Sequence, residues 1–314
     1  MLKRKSKNYA EGSLWNMDIK NFIVNYHYVE DPRPDFSGIW PCSISEFERQ
    51  IKFLSGNFSI VPAVDVYRAS QENSRGNYCA ITFDDGLKDQ YQNAVPILKK
   101  YNATATFFII TDTLNGFLPS AHQIHFLLSK VPAEKLIDSF NDFQNQYQIP
   151  KDQRVNPKKR LFEDILIANF KETMMSAPQD LTEPFLGHCF KNFSLDPEKF
   201  GRGTFMNEPD ILSLKDAGFS IGSHAHRHYL EENVNQKYFR SEVQDSKKIL
   251  RRLLGEDPTT FSYPHGRYNN EVVGLLGEEG FKHAFITEPR SLRAGDSPYL
   301  IPRLDTNDIR KIIF

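Results

Sequence analysis

Three short clusters carry residues that can do chemistry. The first is Asp84-Asp85-Gly86, which follows the apolar run Tyr78-Cys79-Ala80-Ile81-Thr82-Phe83. Strand ends are where α/β proteins place reactive groups, and a glycine there permits a tight turn. Successive strand side chains point to opposite faces, so the two carboxylates are not expected to share one buried apolar face. Alone, Asp-Asp-Gly also reads as an ordinary turn. The second cluster is Gly222-Ser223-His224-Ala225-His226-Arg227-His228, with three of the nine histidines in five residues. His224 and His228 are four apart, so one helical turn would put both imidazoles on one side. That suits a divalent metal with nitrogen ligands. His226 then points elsewhere, toward a supporting or substrate-facing position. The alternative is a solvated polar loop, and the histidine density directly after an apolar stretch favours the metal. The third cluster, Phe261-Ser262-Tyr263-Pro264-His265-Gly266-Arg267-Tyr268, closes another apolar run. Its Pro and Gly fix an irregular backbone that can aim a main-chain N–H, although by itself the stretch reads as a turn.

The hydrophobic pattern supplies the frame for these clusters. Residues 22–28 read as a buried strand, and Ser43 with Glu46 reads as a capping box opening a helix through Leu54. Strands are expected at 58–61, 78–83 and 104–110, with a helix at 91–101. Helices at 208–217, 236–254 and 270–279 precede strands at 219–222, 259–263 and 282–287. Repeated βα units imply a mainly parallel sheet with helices outside, open or closed into a barrel. The stretch from about 113 to 207 breaks the rhythm, with helical patterns at 122–130, 133–147 and 158–175. It reads as a helical insertion, either a packing appendage or a lid. The expected organisation is a polar tail at 1–20 and a single domain at 21–314 interrupted by that insertion.

Composition narrows the function class. The chain has 314 residues, 39% of them hydrophobic, with 25 Phe and 13 Tyr, which is enough apolar mass for a real core. Thirty-nine basic residues against 40 acidic ones leave no electrostatic footprint for general nucleic-acid binding. No apolar run exceeds four residues, so no transmembrane helix is expected. The basic start, Met1-Leu2-Lys3-Arg4-Lys5, has no apolar stretch behind it, and a cytoplasmic protein is expected. Cys42, Cys79 and Cys189 are scattered, which argues against a disulfide framework or zinc ribbon. No phosphate-binding glycine loop is present.

Taken in order, Thr82-Phe83-Asp84-Asp85-Gly86, the His-x-x-x-His spacing and the Tyr-Pro-x-Gly stretch resemble the polysaccharide deacetylase family, the NodB-like carbohydrate esterase family 4. The resemblance covers roughly residues 20–112 and 208–305, and the insertion takes no part in it. It implies an α/β fold, a distorted (β/α) barrel carrying the helical insertion, and metal-dependent removal of an acyl group from a sugar. Carried over by residue, it makes Asp84 the general base and Asp85, His224 and His228 the metal ligands. The metal is usually zinc, with cobalt or nickel as substitutes. It places the oxyanion near the main-chain N–H of His265 and makes Tyr263, Pro264 and His265 the oxyanion- and substrate-binding segment.

The sequence departs from the family pattern in four places. Ser262 stands where an arginine is usual, His265 replaces an aromatic residue, Ala225 replaces a bracing Ser or Thr, and a C-terminal Leu-x-His motif is missing after residue 283. The resemblance is then to the circularly permuted poly-N-acetylglucosamine deacetylase branch, whose acid histidine lies in an N-terminal Tyr-His strand. Asn25-Tyr26-His27-Tyr28 matches that strand and makes His27 the acid; a satisfied core histidine is its alternative. Pro302-Arg303 offers the missing arginine to Asp84; a surface ion pair is its alternative. The expected substrate is an acylated sugar or glycan, lipid- or nucleotide-linked, in surface polysaccharide biosynthesis. Two rivals stand: a hydrolase of non-sugar amides, and an inactive carbohydrate binder.

Overall fold

The computed structural model describes residues 20–74, 76–157, 160, 163–229 and 236–313. The tail expected at 1–20 lies outside these residues, apart from Lys20. Among the described residues, eight strands form one sheet: β1 (Phe22–Tyr26), β2 (Ser59–Ile60), β3 (Tyr78–Phe83), β4 (Thr106–Ile109), β5 (Ser220–Ser223), β6 (Thr260–Ser262), β7 (His283–Phe285) and β8 (Leu304–Asp305). The order is β7-β6-β5-β4-β3-β1-β8, with β2 pairing the start of β3. Every described pairing is parallel. The sheet curls into a distorted barrel. Ile301 bridges to Phe285 of β7, and three residues later Leu304 pairs with Val24 of β1, so residues 301–305 touch both edges of the sheet.

The register brings the reactive clusters to one end. Tyr26 lies opposite Phe83, so His27 leaves β1 at the level where Asp84 leaves β3, and the Asp84 N–H donates to the Tyr26 carbonyl at 3.0 Å. Ile109 lies opposite Ser223, Ser223 opposite Phe261, and Ser262 opposite Phe285. Residues Cys79–Phe83 of β3 are buried on both faces, as parallel strands covered by helices are. The Phe83 ring stacks on Phe107 at 4.7 Å beneath the site.

Around the sheet lie α1 (Ile44–Asn57), α2 (Ala63–Gln71), α3 (Val95–Lys100), α9 (Glu208–Asp216), α10 (Gln236–Leu254), α11 (Asn270–Glu278) and α12 (Thr306–Ile313). Between β4 and β5 come α4 (Ser120–Lys130), α5 (Ala133–Phe143), α6 (Ile165–Ser176), α7 (Gln179–Asn192) and α8 (Pro197–Thr204). These five close over their own core, in which Leu127, Phe140, Phe185 and Leu186 are fully buried. Several elements differ from the sequence expectation. The strand at 22–28 stops at Tyr26, and the pattern at 133–147 ends at Phe143. The pattern at 158–175 starts only at Ile165, where the Asp164 carboxylate caps the Leu166 N–H; Lys158 and Lys159 lie outside the described residues. The helix at 91–101 opens with a π-turn over Gln90–Ala94, because Pro96 has no N–H to return to the preceding turn.

Candidate active site

Asp84 is buried at the end of β3 with three donors on its carboxylate. Arg303 grips both oxygens, Nη1 to Oδ1 at 2.8 Å and Nη2 to Oδ2 at 2.7 Å, and Asn25 Nδ2 adds a bond to Oδ2 at 2.9 Å. Burial would raise this acid, but the Arg303 and His224 charges outweigh it and hold Asp84 at about 2. Arg303 itself has no exposed surface and also donates to Ser262 Oγ at 2.8 Å and Asn25 Oδ1 at 2.9 Å. Its guanidinium therefore ends at the position where the sequence lacks an arginine. The alternative of a surface ion pair is excluded by its burial. The segment that closes the barrel is the one that delivers it.

Asp85 adopts a left-handed backbone, φ 78°, and this breaks the alternation of strand side chains. The expectation that the two carboxylates would face apart is overturned. His224 Nε2 stands 4.0 Å from Asp84 Oδ2 and 3.4 Å from Asp85 Oδ1, and His228 Nε2 is 3.7 Å from Asp85 Oδ1. One ligand atom from each of Asp85, His224 and His228 lies within 4.8 Å of the others.

The two histidines do not converge through a helical turn, as their spacing suggested. They sit on an irregular loop in which Ala225 (φ 65°) and His228 (φ 66°) are both left-handed. The loop is pinned from several sides. Glu242 of α10 accepts the main-chain N–H groups of His226 at 3.1 Å and Arg227 at 2.6 Å. Burial pushes the Glu242 carboxyl up to about 7 despite these two donors. Ser223 Oγ accepts the Ala225 N–H, which supplies the brace that Ala225 cannot. His226 turns away from the ligands, with Nδ1 3.0 Å from Thr111 Oγ1, while Arg227 Nε donates to Asp112 at 2.8 Å. Neither Glu242 nor Asp112 was a sequence candidate. They lie far from the motifs and carry only the signal of an acidic residue amid a helix or turn.

The donor set fits a divalent metal. His224 Nδ1 bonds the Ser262 carbonyl at 2.8 Å, so its proton sits there and the Nε2 lone pair faces Asp85. Burial, with His265 and His224 nearby, holds His228 well below the ordinary histidine range, in its ligating neutral form. His224 is raised because the two carboxylates overcome its burial. An arriving cation would take the place of that proton.

His27 is half-buried and follows Tyr26, whose carbonyl accepts the Asp84 N–H, so it leaves β1 at the level of the two carboxylates. Among the described residues its ring makes no hydrogen bond. His265 is exposed, with a left-handed backbone (φ 58°), and its main-chain N–H has no acceptor among the described residues. Tyr263 and Pro264 are both buried, the Tyr263 ring against Phe261 and Tyr268. They shape the turn but offer no surface to a ligand, a correction to their expected substrate contact. A small cleft of about 50 Å³ opens beside His228, lined also by His265 and Arg267 and by Ser120, Met174 and Thr182 of the insertion.

The chain is similar to known proteins in sequence and in fold. The sequence model of one family, polysaccharide deacetylase, matches residues 71–125 and 199–284, so the match runs into the start of α4. YxkH of Bacillus subtilis strain 168, provisionally named a polysaccharide deacetylase, is 22% identical over 262 residues; the alignment covers 82% of this chain, which spans 63% of that relative's length. A poly-beta-1,6-N-acetyl-D-glucosamine N-deacetylase of Staphylococcus aureus is 22% identical over 291 residues, 92% of this chain and 75% of the relative. Among solved structures, the Streptococcus pyogenes deacetylase PplD in complex with acetate superposes with a TM-score of 0.60 at 17% identity, covering 93% of this chain and 96% of that one.

Proposed function

The chain belongs to the polysaccharide deacetylase family, and from that premise we propose that it is a metal-dependent hydrolase removing an acetyl group from an amino sugar in a glycan or glycan precursor. The observation that carries this reading is the meeting of Asp84, the Asp85–His224–His228 triad and the His265 turn at one end of the barrel. Asp85, His224 and His228 would hold the cation, for which zinc is the proposed identity, with cobalt or nickel as substitutes. When bound, a divalent ion supplies Lewis acidity, polarising the acyl oxygen and acidifying water.

The chain's own groups divide the remaining work. Asp84 is ionised at every working pH, so it stands ready to accept the proton of an attacking water. Arg303 and Asn25 fix the direction from which it accepts. The His265 N–H is aimed to donate to the oxyanion, and one such donor is worth roughly 3 kcal/mol in other enzymes. His27 approaches from the next strand end to protonate the departing amine, a poor leaving group without that proton. The acylated sugar enters through the cleft between the insertion and the His228–His265 loops.

The test is acetate release from N-acetylglucosamine oligomers, with lipid- and nucleotide-linked N-acetyl sugars and cyclic amides in the same screen. Activity is expected to vanish on chelation and return with zinc. His27→Ala is expected to slow amides far more than activated esters. Metal and sugar binding without acetate release from any sugar would instead identify an inactive carbohydrate binder. Turnover of cyclic amides alone would identify the other amidohydrolase.

A further inference from the structure

We infer that His122, on the first helix of the insertion, is a positioning residue for the metal site: it donates its Nε2 proton to Asp85 Oδ2 and so turns Oδ1 toward His224 and His228. This rests on the metal-hydrolase reading above. His122 is 1% exposed, and its Nε2 lies 3.3 Å from Asp85 Oδ2. This nitrogen makes no hydrogen bond of ordinary geometry among the described residues, so the Asp85 approach is its unsatisfied polar contact. A buried ring nitrogen seeks a partner, and among the described residues the charged group it approaches is the Asp85 carboxylate, which accepts. His224 and His228 approach the other oxygen, Oδ1, at 3.4 and 3.7 Å. The two faces of one carboxylate are thus divided between the insertion and the histidine loop.

The opposite ring nitrogen fixes which way the proton lies. Tyr28 Oη is 2.6 Å from His122 Nδ1 and 3.4 Å from His125 Nδ1. If Nδ1 of His122 carried the proton, an Nε2 lone pair would confront a carboxylate oxygen and repel it. The favourable chain runs one way: His125 Nδ1–H to Tyr28, the Tyr28 hydroxyl to His122 Nδ1, and His122 Nε2–H to Asp85. Outer partners of this kind set the orientation of metal-ligating carboxylates.

The ring is also held mechanically. Phe205 meets it edge-on at 4.9 Å, where the insertion returns to the barrel through a bridge from Phe205 to Leu87 and a bond from the Met206 N–H to the Gly86 carbonyl at 2.9 Å. On the other side α4 is docked against the loop after β1. The Gly38 N–H donates to Ser129 Oγ at 3.0 Å, and a Cβ at Gly38 would come within 2.1 Å of the His125 carbonyl. The insertion is therefore built into the site at both ends.

The experiment strips the protein by chelation and titrates it with Zn(II) and with Co(II), following affinity and the cobalt absorption spectrum. His122→Ala is expected to weaken metal binding about 10–100-fold and to shift the cobalt bands. His122→Gln, whose amide can present an N–H near the Nε2 position, should recover most of the affinity, and Tyr28→Phe should lose less than His122→Ala. Thermal unfolding of each apo-variant shows whether the helices remain. If His122→Ala does not fold, the Tyr28→Phe variant carries the test. Wild-type affinity and spectrum in His122→Ala, or in Tyr28→Phe if His122→Ala does not fold, would overturn the positioning role and leave the hydrolase reading standing. No metal binding by the wild-type protein would overturn both.

Discussion

Asp84 and Asp85 are adjacent in sequence, yet two different parts of the molecule hold them. Asp84 is gripped by barrel residues alone: Arg303 from the closing segment and Asn25 from β1. Asp85 is shared between the loop carrying His224 and His228 and the inserted helix carrying His122. The first carboxylate has three close donors already in place, and the second is ringed by imidazoles at 3.3 to 3.7 Å. That contrast separates a rigid anion from a carboxylate arranged to accept a cation, and a single left-handed residue at 85 makes the separation possible.

The comparison is broken most severely at Arg303. Arg303→Met would leave Asp84 buried and unpaired, and is expected to cost about 3–5 kcal/mol in denaturant unfolding. Adding Asp84→Asn should restore much of that loss, because the uncompensated charge is gone. If the single variant unfolds like wild type, the barrel does not hold Asp84 in the way described.

The Asp85 side is tested at Glu242, which touches neither carboxylate. Glu242→Ala removes the acceptor of two main-chain N–H groups in the histidine loop and is expected to cost about 1–3 kcal/mol. Metal affinity should fall with it while the Asp84–Arg303 pair is untouched. Unchanged affinity would show that the loop holds its shape without this brace.

A smaller, graded effect comes from pH. Asp89, behind the Asp84 turn, has its carboxyl raised by burial from 3.8 to about 7, with one oxygen unpaired. Between those values the folded protein keeps a proton that the unfolded chain has lost. Stability from this group therefore falls as pH rises from about 4 to about 7, by at most about 1.4 kcal/mol per pH unit. Asp84 runs the other way: its contribution is lost as pH falls from about 4 toward about 2. Urea midpoints across pH should show the upper slope flatten in Asp89→Asn; an unchanged slope would remove Asp89 as its source.

How much of this could be read from the chain depends on distance along it. Asp84, Asp85, His224 and His228 were legible because each pair sits within a few residues at the end of an apolar run. Arg303 and His27 were legible only through the family resemblance, since nothing local marks them as neighbours of residue 84. Tyr263 was overread: its motif position is real, but its ring packs into the core. His122 was missed although it forms an i,i+3 pair with His125 in a helix the periodicity did suggest. Helical pattern predicts a face, and nothing in it says that this face meets a barrel turn. The left-handed residues at 85, 225 and 228 were invisible for a related reason, because none of them is the glycine that usually announces such a backbone.

The closing segment also has a consequence in time. Arg303 follows Asp84 by 219 residues, and both edges of the sheet wait for residues 301–305. During synthesis the carboxylate emerges long before its guanidinium. Until that arrives, burying the ionised Asp84 is penalised. The segment that delivers Arg303 is thus the one that lets Asp84 be buried at low cost, and their pairing is a contact of very high sequence separation, the kind that slows folding.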